Sequence, residues 1–209
     1  FLMKIKTIDN FLKNKDFETL NNLNLKFTGP NELNVYNNTV NSSGIIRNSC
    51  LDEKLLKEFH DKYHSIAIKL LNDLCPEKVK LYEYSEFQII ETGKNYKFPI
   101  HDDTPNKLLS GVIYLKPKKN SGTLFYDNKS GKNKREIQWL QNRAVFFSRV
   151  ERRSWHSYEG NKISKRLTIV NNLMTDNLKK VWKNEKKNYF LVKLRLKLNP
   201  YLYRFFKFT

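Results

Sequence analysis

Two histidines, one aspartate and one arginine carry spacings that suit metal-centred oxidation. His101-Asp102-Asp103 is followed by His156, 55 residues after the first histidine, and Arg166 comes 10 residues later. Side chains on a strand alternate with a period of two, so His101 and Asp103 share one face while Asp102 points to the other. His156, arriving from a neighbouring strand, completes a face of two imidazoles and one carboxylate. Such a face leaves three positions of an octahedral metal open, as non-haem Fe(II) oxygen chemistry requires. Zinc would accept the same three side chains, so the ligand set alone leaves the metal open. In Arg166-Leu167-Thr168-Ile169-Val170, alternation puts Arg166, Thr168 and Val170 on one face. A guanidinium on an inward face needs a carboxylate partner, and that pairing is bidentate. Thr168 is either filler of the interior or a contact to the same ligand. Tyr114, in Val112-Ile113-Tyr114-Leu115, adds a phenolic hydrogen bond from an adjacent strand.

These side chains need strands to position them, and the sequence supplies a series. From residue 79 onward eight strands are expected: Val79–Thr92, Pro99–Asp103, Leu108–Lys116, Thr123–Tyr126, Arg135–Leu140, Ala144–Ser148, Arg153–Ser157 and Arg166–Leu173. Turn sequences such as Asn120-Ser121-Gly122 and Ser130-Gly131-Lys132-Asn133 separate most of them. So many short strands in one stretch imply a closed double sheet of the jelly-roll class. Ahead of them, Leu51, Leu55, Phe59, Tyr63, Ile66, Leu70 and Leu74 recur at spacings of three and four. That stripe predicts one amphipathic helix over 51–74, capped by Ser49, stopped near Pro76 and covering a sheet face. Residues 3–48 read as short strands and turns.

The stretch from about 81 to 173 resembles the prolyl 4-hydroxylase-like branch of the 2-oxoglutarate- and Fe(II)-dependent dioxygenases. The resemblance is carried by His101-x-Asp103, Val112-Ile113-Tyr114-Leu115, Gly122-Thr123-Leu124, Ala144-Val145-Phe146-Phe147, Trp155-His156 and Arg166, in the family's order. It implies a mainly β fold with flanking helices, a double-stranded β-helix. It implies Fe(II), with 2-oxoglutarate and O2 as co-substrates and ascorbate as a stimulant. His101, Asp103 and His156 would be the ligands, and Arg166 and Tyr114 would hold the distal carboxylate of 2-oxoglutarate, with Thr168 beside them. The implied activity is hydroxylation of a prolyl or other side chain in a peptide or protein. Small molecules, glycans and nucleic acid remain alternatives, as does a non-catalytic binding module that kept the triad. Two positions depart from the family: Asn142 stands where Gly is frequent, and Ser121-Gly122 stands for a Gly-Gly pair. Asn tolerates left-handed backbone, so the turn at 142 is expected to survive.

The remaining features set boundaries. The formal net charge of +18 bears on partners rather than on fold. Arg149, Arg152, Arg153, Lys162 and Lys165 flank His156 and read as either a rim for an acidic substrate or a solvated charged edge. Residues 176–209 form a basic, aromatic extension to an oxygenase domain over 1–175. There Leu194 to Leu198 fits either a strand or a helix, and Tyr201, Tyr203, Phe205, Phe206 and Phe208 are expected to pack on the domain or on a second subunit, contact with nucleic acid or a membrane surface being the alternative. His60 and His64 are four apart on the expected helix, lack a third ligand, and read as solvated. A nucleic-acid partner is not favoured: the superfamily's demethylases carry an Arg-x-Asn pattern, and Thr168 stands at the Asn position. Cys50 and Cys75 match no metal spacing and are expected to be reduced thiols. No apolar run is long enough to span a membrane. Met3 is the expected start, no signal-peptide pattern precedes it, and a soluble cytoplasmic protein is expected.

Overall fold

The computed structural model describes residues 3–198, with side chains described as far as residue 194. Among these residues eleven strands form two antiparallel sheets. The strands are β1 (Ile5–Ile8), β2 (Leu33–Asn41), β3 (Ile46–Asn48), β4 (Tyr84–Thr92), β5 (Lys97–His101), β6 (Lys107–Lys116), β7 (Thr123–Tyr126), β8 (Arg135–Ile137), β9 (Ala144–Phe147), β10 (Trp155–Glu159) and β11 (Arg166–Met174). The larger sheet runs β1-β9-β6-β11-β4-β2-β3 and the smaller β5-β10-β7-β8. Four helices accompany them: α1 (Asn14–Asn21), α2 (Glu53–Leu74), α3 (Leu178–Asn184) and α4 (Tyr189–Leu198). This is the mainly β, jelly-roll arrangement with flanking helices that the strand series predicts.

Strand parity divides the larger sheet into two faces. Leu167, Ile169 and Leu173 of β11, Phe87 and Ile89 of β4, and Leu109 and Ile113 of β6 pack with Phe59, Tyr63, Ala67 and Leu70 of α2 in one apolar core. Burying each large apolar side chain there stabilises the fold by roughly 1.5–3 kcal/mol. The alternate residues, Arg166, Thr168, Val170, Asn172 and Met174, face a cavity between the sheets. A second cluster, Tyr114, Phe125, Val145 and Phe147, closes the sheets on each other.

Several local expectations shift. Asp52, not Ser49, caps α2, accepting from the Leu55 N–H at 2.9 Å. Residues 14–21 form a helix rather than strands and turns. Pro76–Leu81 is a 3-10 helix, so the expected strand from Val79 begins only at Tyr84. Proline at the first position of that turn has no N–H to donate to a ladder. Tyr189–Leu198 is helical, which settles the open reading there; the aromatic positions from Tyr201 to Phe208 lie outside the described residues. Asn142 has φ 60°, the left-handed backbone expected of it, and its side chain bonds both Leu12 N and Leu12 O. Gly122 is required by close approach, because a Cβ there would meet the Ile137 carbonyl oxygen at 1.8 Å.

Candidate metal centre and its cavity

His101 ends β5 and pairs directly with His156 of β10. The register sets the two imidazoles side by side, with ring centroids 4.1 Å apart. Asp103, two residues on, lies just past the strand end and is 4% exposed. One donor atom from each of His101, Asp103 and His156 can be chosen so that all lie within 4.8 Å of one another, the one such cluster among the described residues. Nδ1 of His101 lies 2.9 Å from the Pro99 carbonyl, and Nδ1 of His156 lies 2.8 Å from that of Ser154. A carbonyl only accepts, so each Nδ1 carries the proton and each Nε2 keeps its lone pair for a metal.

The carboxylate is equally well held. Ser110 donates to Asp103 Oδ2 at 2.6 Å, and Lys107 Nζ donates to Oδ1 at 2.9 Å. Burial alone would raise the Asp103 pKa, but Lys107, His156, His101 and the Ser110 hydroxyl outweigh it and hold the carboxyl well below its usual range. Desolvation, reinforced by His156, pushes His101 down to about 3. An ionised carboxylate beside a neutral imidazole is what metal binding needs. Asp102 points away, as strand parity requires. It accepts from the Arg152 N–H at 2.6 Å and from the Ser154 hydroxyl, and burial raises its pKa.

Arg166 lines the same cavity, which has a volume of about 700 Å³. It is 7% exposed, and its guanidinium carbon lies 3.4 Å from the centre of the Tyr158 ring. Among the described residues it forms no salt bridge. Its contact to the Ser121 carbonyl is long, at 3.4 Å, and its Nε is buried without a partner. Burial lowers the Arg166 pKa, opposed by Tyr158 and Tyr114. The group nevertheless remains a cation. Thr168 lies beside it on the cavity wall, almost fully buried.

Tyr114 stands behind the cavity wall, close enough to Arg166 to influence its charge. Its ring is fully buried and stacks on Trp139 at 4.6 Å. Its hydroxyl donates to Thr123 Oγ1 at 2.8 Å and accepts from the Thr123 N–H at 3.0 Å. Thr123, rather than Tyr114, lines the cavity near Arg166. In the sequence Thr123 stands out only as part of a motif, and little there marks Tyr158, Ser110 or Lys107 as supports. Tyr158 follows His156 by two, and that was its one available signal.

Two further expectations change. Arg149 belongs to no surface rim: it is buried, donates from Nε to the Asp103 carbonyl at 2.7 Å, and pairs through NH1 with Glu185 at 2.8 Å. His60 is not solvated. It is 6% exposed and stacks on His64 at 4.6 Å.

No protein-family model matches the chain, and no curated protein matches it in sequence. Solved structures do share the fold. A Pseudomonas putida prolyl-4-hydroxylase matches with 12% identity and a TM-score of 0.58, over 84% of this chain and 94% of that one. A prolyl hydroxylase from Trichoplax adhaerens, solved with a peptide fragment of hypoxia inducible factor, matches with 16% identity and a TM-score of 0.54, over 85% and 86%. A 2OG-Fe(II) oxygenase family oxidoreductase from Burkholderia pseudomallei matches with 14% identity and a TM-score of 0.57, over 81% and 84%. At these identities the likeness is one of fold, and the fold is that of the 2-oxoglutarate and Fe(II) oxygenases, including prolyl hydroxylases.

Proposed function

We propose that this chain is an Fe(II)- and 2-oxoglutarate-dependent dioxygenase that hydroxylates a side chain in a peptide or protein, with prolyl residues the first candidate. One observation carries the reading. A buried Arg166 with an unmet Nε donor shares one cavity with two imidazoles and a carboxylate poised for a metal. The donor set fits Fe(II), and the orphaned guanidinium fits a carboxylate of a dicarboxylate co-substrate. Fe(II) supplies O2 activation when bound, in an overall reaction of R–H, O2 and 2-oxoglutarate to R–OH, succinate and CO2. The protein's part is binding, orientation and exclusion of water. Arg166 anchors the co-substrate, and Thr168 and Thr123 offer hydroxyls beside it. Tyr114 acts one step back, by fixing Thr123. Residues 1–175 are the oxygenase domain in this reading and 176–209 its extension. Two free cysteines suit a reducing, cytoplasmic compartment. Among the described residues no helix is long and apolar enough to cross a membrane.

The test is direct. Protein loaded anaerobically with Fe(II) should bind 2-oxoglutarate. On admitting air and a peptide library it should release succinate and add one oxygen atom to a peptide. Absence of both 2-oxoglutarate binding and succinate would overturn the reading.

A further inference from the structure

Past the metal side chains, on the side away from Arg166, the cavity wall becomes acidic. On β11, Asn172 pairs across to Glu86 of β4 on one side and to Ser110 of β6 on the other. Ser110 is the residue that touches Asp103. Glu86 therefore stands two strand spacings, on the order of 10 Å, from the support of the candidate metal ligand. It is 9% exposed and accepts from Asn172 Nδ2 at 2.9 Å. In the next row Met174 pairs with Tyr84 and Lys107, and Tyr84, Asn106 and Asp176 line the outer end.

Two unpartnered polar groups lie in the same wall. Gln88 is 7% exposed, lines the cavity, and its side-chain amide forms no hydrogen bond among the described residues. Asn172 is fully buried, and its Oδ1 has no partner. The cation nearby among the described residues, Lys107, is bonded to Asp103 at 2.9 Å and is attracted by Glu86 as well. In a chain of net charge +18, a carboxylate set inside a cavity does not serve solubility. Buried charge of this kind needs a counter-charge or further donors.

We propose that this arm selects a substrate bearing an ammonium or guanidinium on an alkyl stem, as a lysyl or arginyl side chain does, with Glu86 as its counter-charge. Gln88 and Asn172 offer amide oxygens to the remaining N–H donors, and Asp176 adds negative charge at the exposed end. A cation held at Glu86 leaves a stem carbon to reach the metal side chains, so the hydroxylated position is a C–H of the stem. One atom of O2 enters that bond and the other goes to succinate. A prolyl ring would leave Gln88 without a partner and make no use of the charge at Glu86. This inference rests on the dioxygenase reading for its chemistry, but the binding preference stands apart from turnover.

The experiment uses peptides of one sequence centred on Lys, Arg, norleucine, citrulline or Pro, together with free L-lysine and L-arginine. Binding is measured by calorimetry on the Zn(II)-loaded protein with 2-oxoglutarate, and turnover by succinate release and mass gain on the Fe(II)-loaded protein. Lys or Arg should bind about tenfold tighter than the neutral isostere, as a charge-assisted hydrogen bond predicts. Glu86→Gln should abolish that ratio, Glu86→Asp should keep part of it, and Asp176→Asn at the exposed end should reduce it. Equal binding of norleucine, citrulline or Pro peptides, or a preference that survives Glu86→Gln, overturns the inference. If succinate never forms but the cation preference holds, the dioxygenase reading fails and this one stands. Free amino acids binding better than peptides, or the reverse, identifies the source of the cation.

Discussion

Arg149 bridges two distant parts of the chain, donating to the main-chain oxygen of Asp103 at 2.7 Å and to the Glu185 carboxylate at 2.8 Å. The Lys78 ammonium lies 3.4 Å from the same carboxylate and donates to the Arg149 carbonyl. The metal-side loop is thereby tied to the segment after α3. Arg149→Ala would leave the Glu185 carboxylate and the Asp103 carbonyl with one partner fewer each, which costs about 3–5 kcal/mol of stability. It should also loosen Asp103 and weaken metal binding. Denaturant unfolding and a metal titration check both; an unchanged metal affinity would show that the Asp103 backbone does not need this bond.

Asp102 and Asp103 should separate cleanly. Asp103→Ala removes the sole carboxylate of the cluster and is expected to abolish metal binding and turnover. Asp102→Ala loses hydrogen bonds to Ser154 and the Arg152 N–H and the attraction of Arg149, at about 1–3 kcal/mol of stability, and should bind metal normally. Metal content after Fe(II) loading, measured by mass spectrometry, distinguishes them. The reverse pattern would mean that Asp102 is the ligand.

Arg166→Lys keeps the charge and loses the planar fork, so it should raise the 2-oxoglutarate requirement while leaving metal affinity unchanged. Arg166→Ala should cost more, on the order of 3–5 kcal/mol of co-substrate binding. Equal 2-oxoglutarate affinity in wild type and Arg166→Ala would remove the arginine from the site.

Much of the geometry of this candidate site is legible in the sequence because it is local. Strand parity assigns His101 and Asp103 to one face and Asp102 to the other, and the cross-strand pair His101–His156 follows once both strands are found. What was not legible is what depends on distant contacts. Arg149 read as a rim or a solvated edge because its partner Glu185 is 36 residues away. Nothing local says that the Tyr114 hydroxyl meets Thr123, which lies on another strand. The eight residues of α1 are too few to show a helical period. Val79 and Leu81 alternate as a strand would, although Pro76 starts a tight turn there. His60 read as solvated because its neighbours Phe59 and Tyr63 marked only the centre of the buried stripe.

His60 and His64 make a pH dependence testable away from the metal side chains. Burial is the main cause of the lowered pKa of each, and His60 further lowers that of His64. A depressed folded pKa means that the unfolded chain binds more protons. The associated stability is therefore present above about pH 6.5 and is lost as pH falls below it, with a slope of at most about 1.4 kcal/mol per pH unit for each histidine. His60→Leu/His64→Leu should reduce the slope of the stability curve between pH 7 and 5 in protein without added metal, leaving the part due to His101. An unchanged slope in the double variant would assign the acid sensitivity to other groups.

The segment after β11 supplies the last test. Asn177 caps α3 by accepting from the Lys180 N–H at 3.1 Å, and Val181 and Trp182 turn inward and are buried. Trp182 also meets Tyr189 of α4, with ring centroids 5.4 Å apart. Packing and charge pairing in this segment are separable, because Trp182 supplies the first and Glu185 the second. Trp182→Ala should lower stability by about 3–5 kcal/mol and leave metal affinity as it was. Glu185→Gln should leave most of the packing intact and instead disturb Arg149, with a smaller stability loss and weaker metal binding. Truncation after residue 176 removes both and should show both effects together. If the truncated chain melts at the wild-type temperature and holds metal equally well, neither the packing nor the Arg149 bridge supports the site. A loss confined to binding of anionic liposomes or nucleic acid would then make the segment an interaction arm.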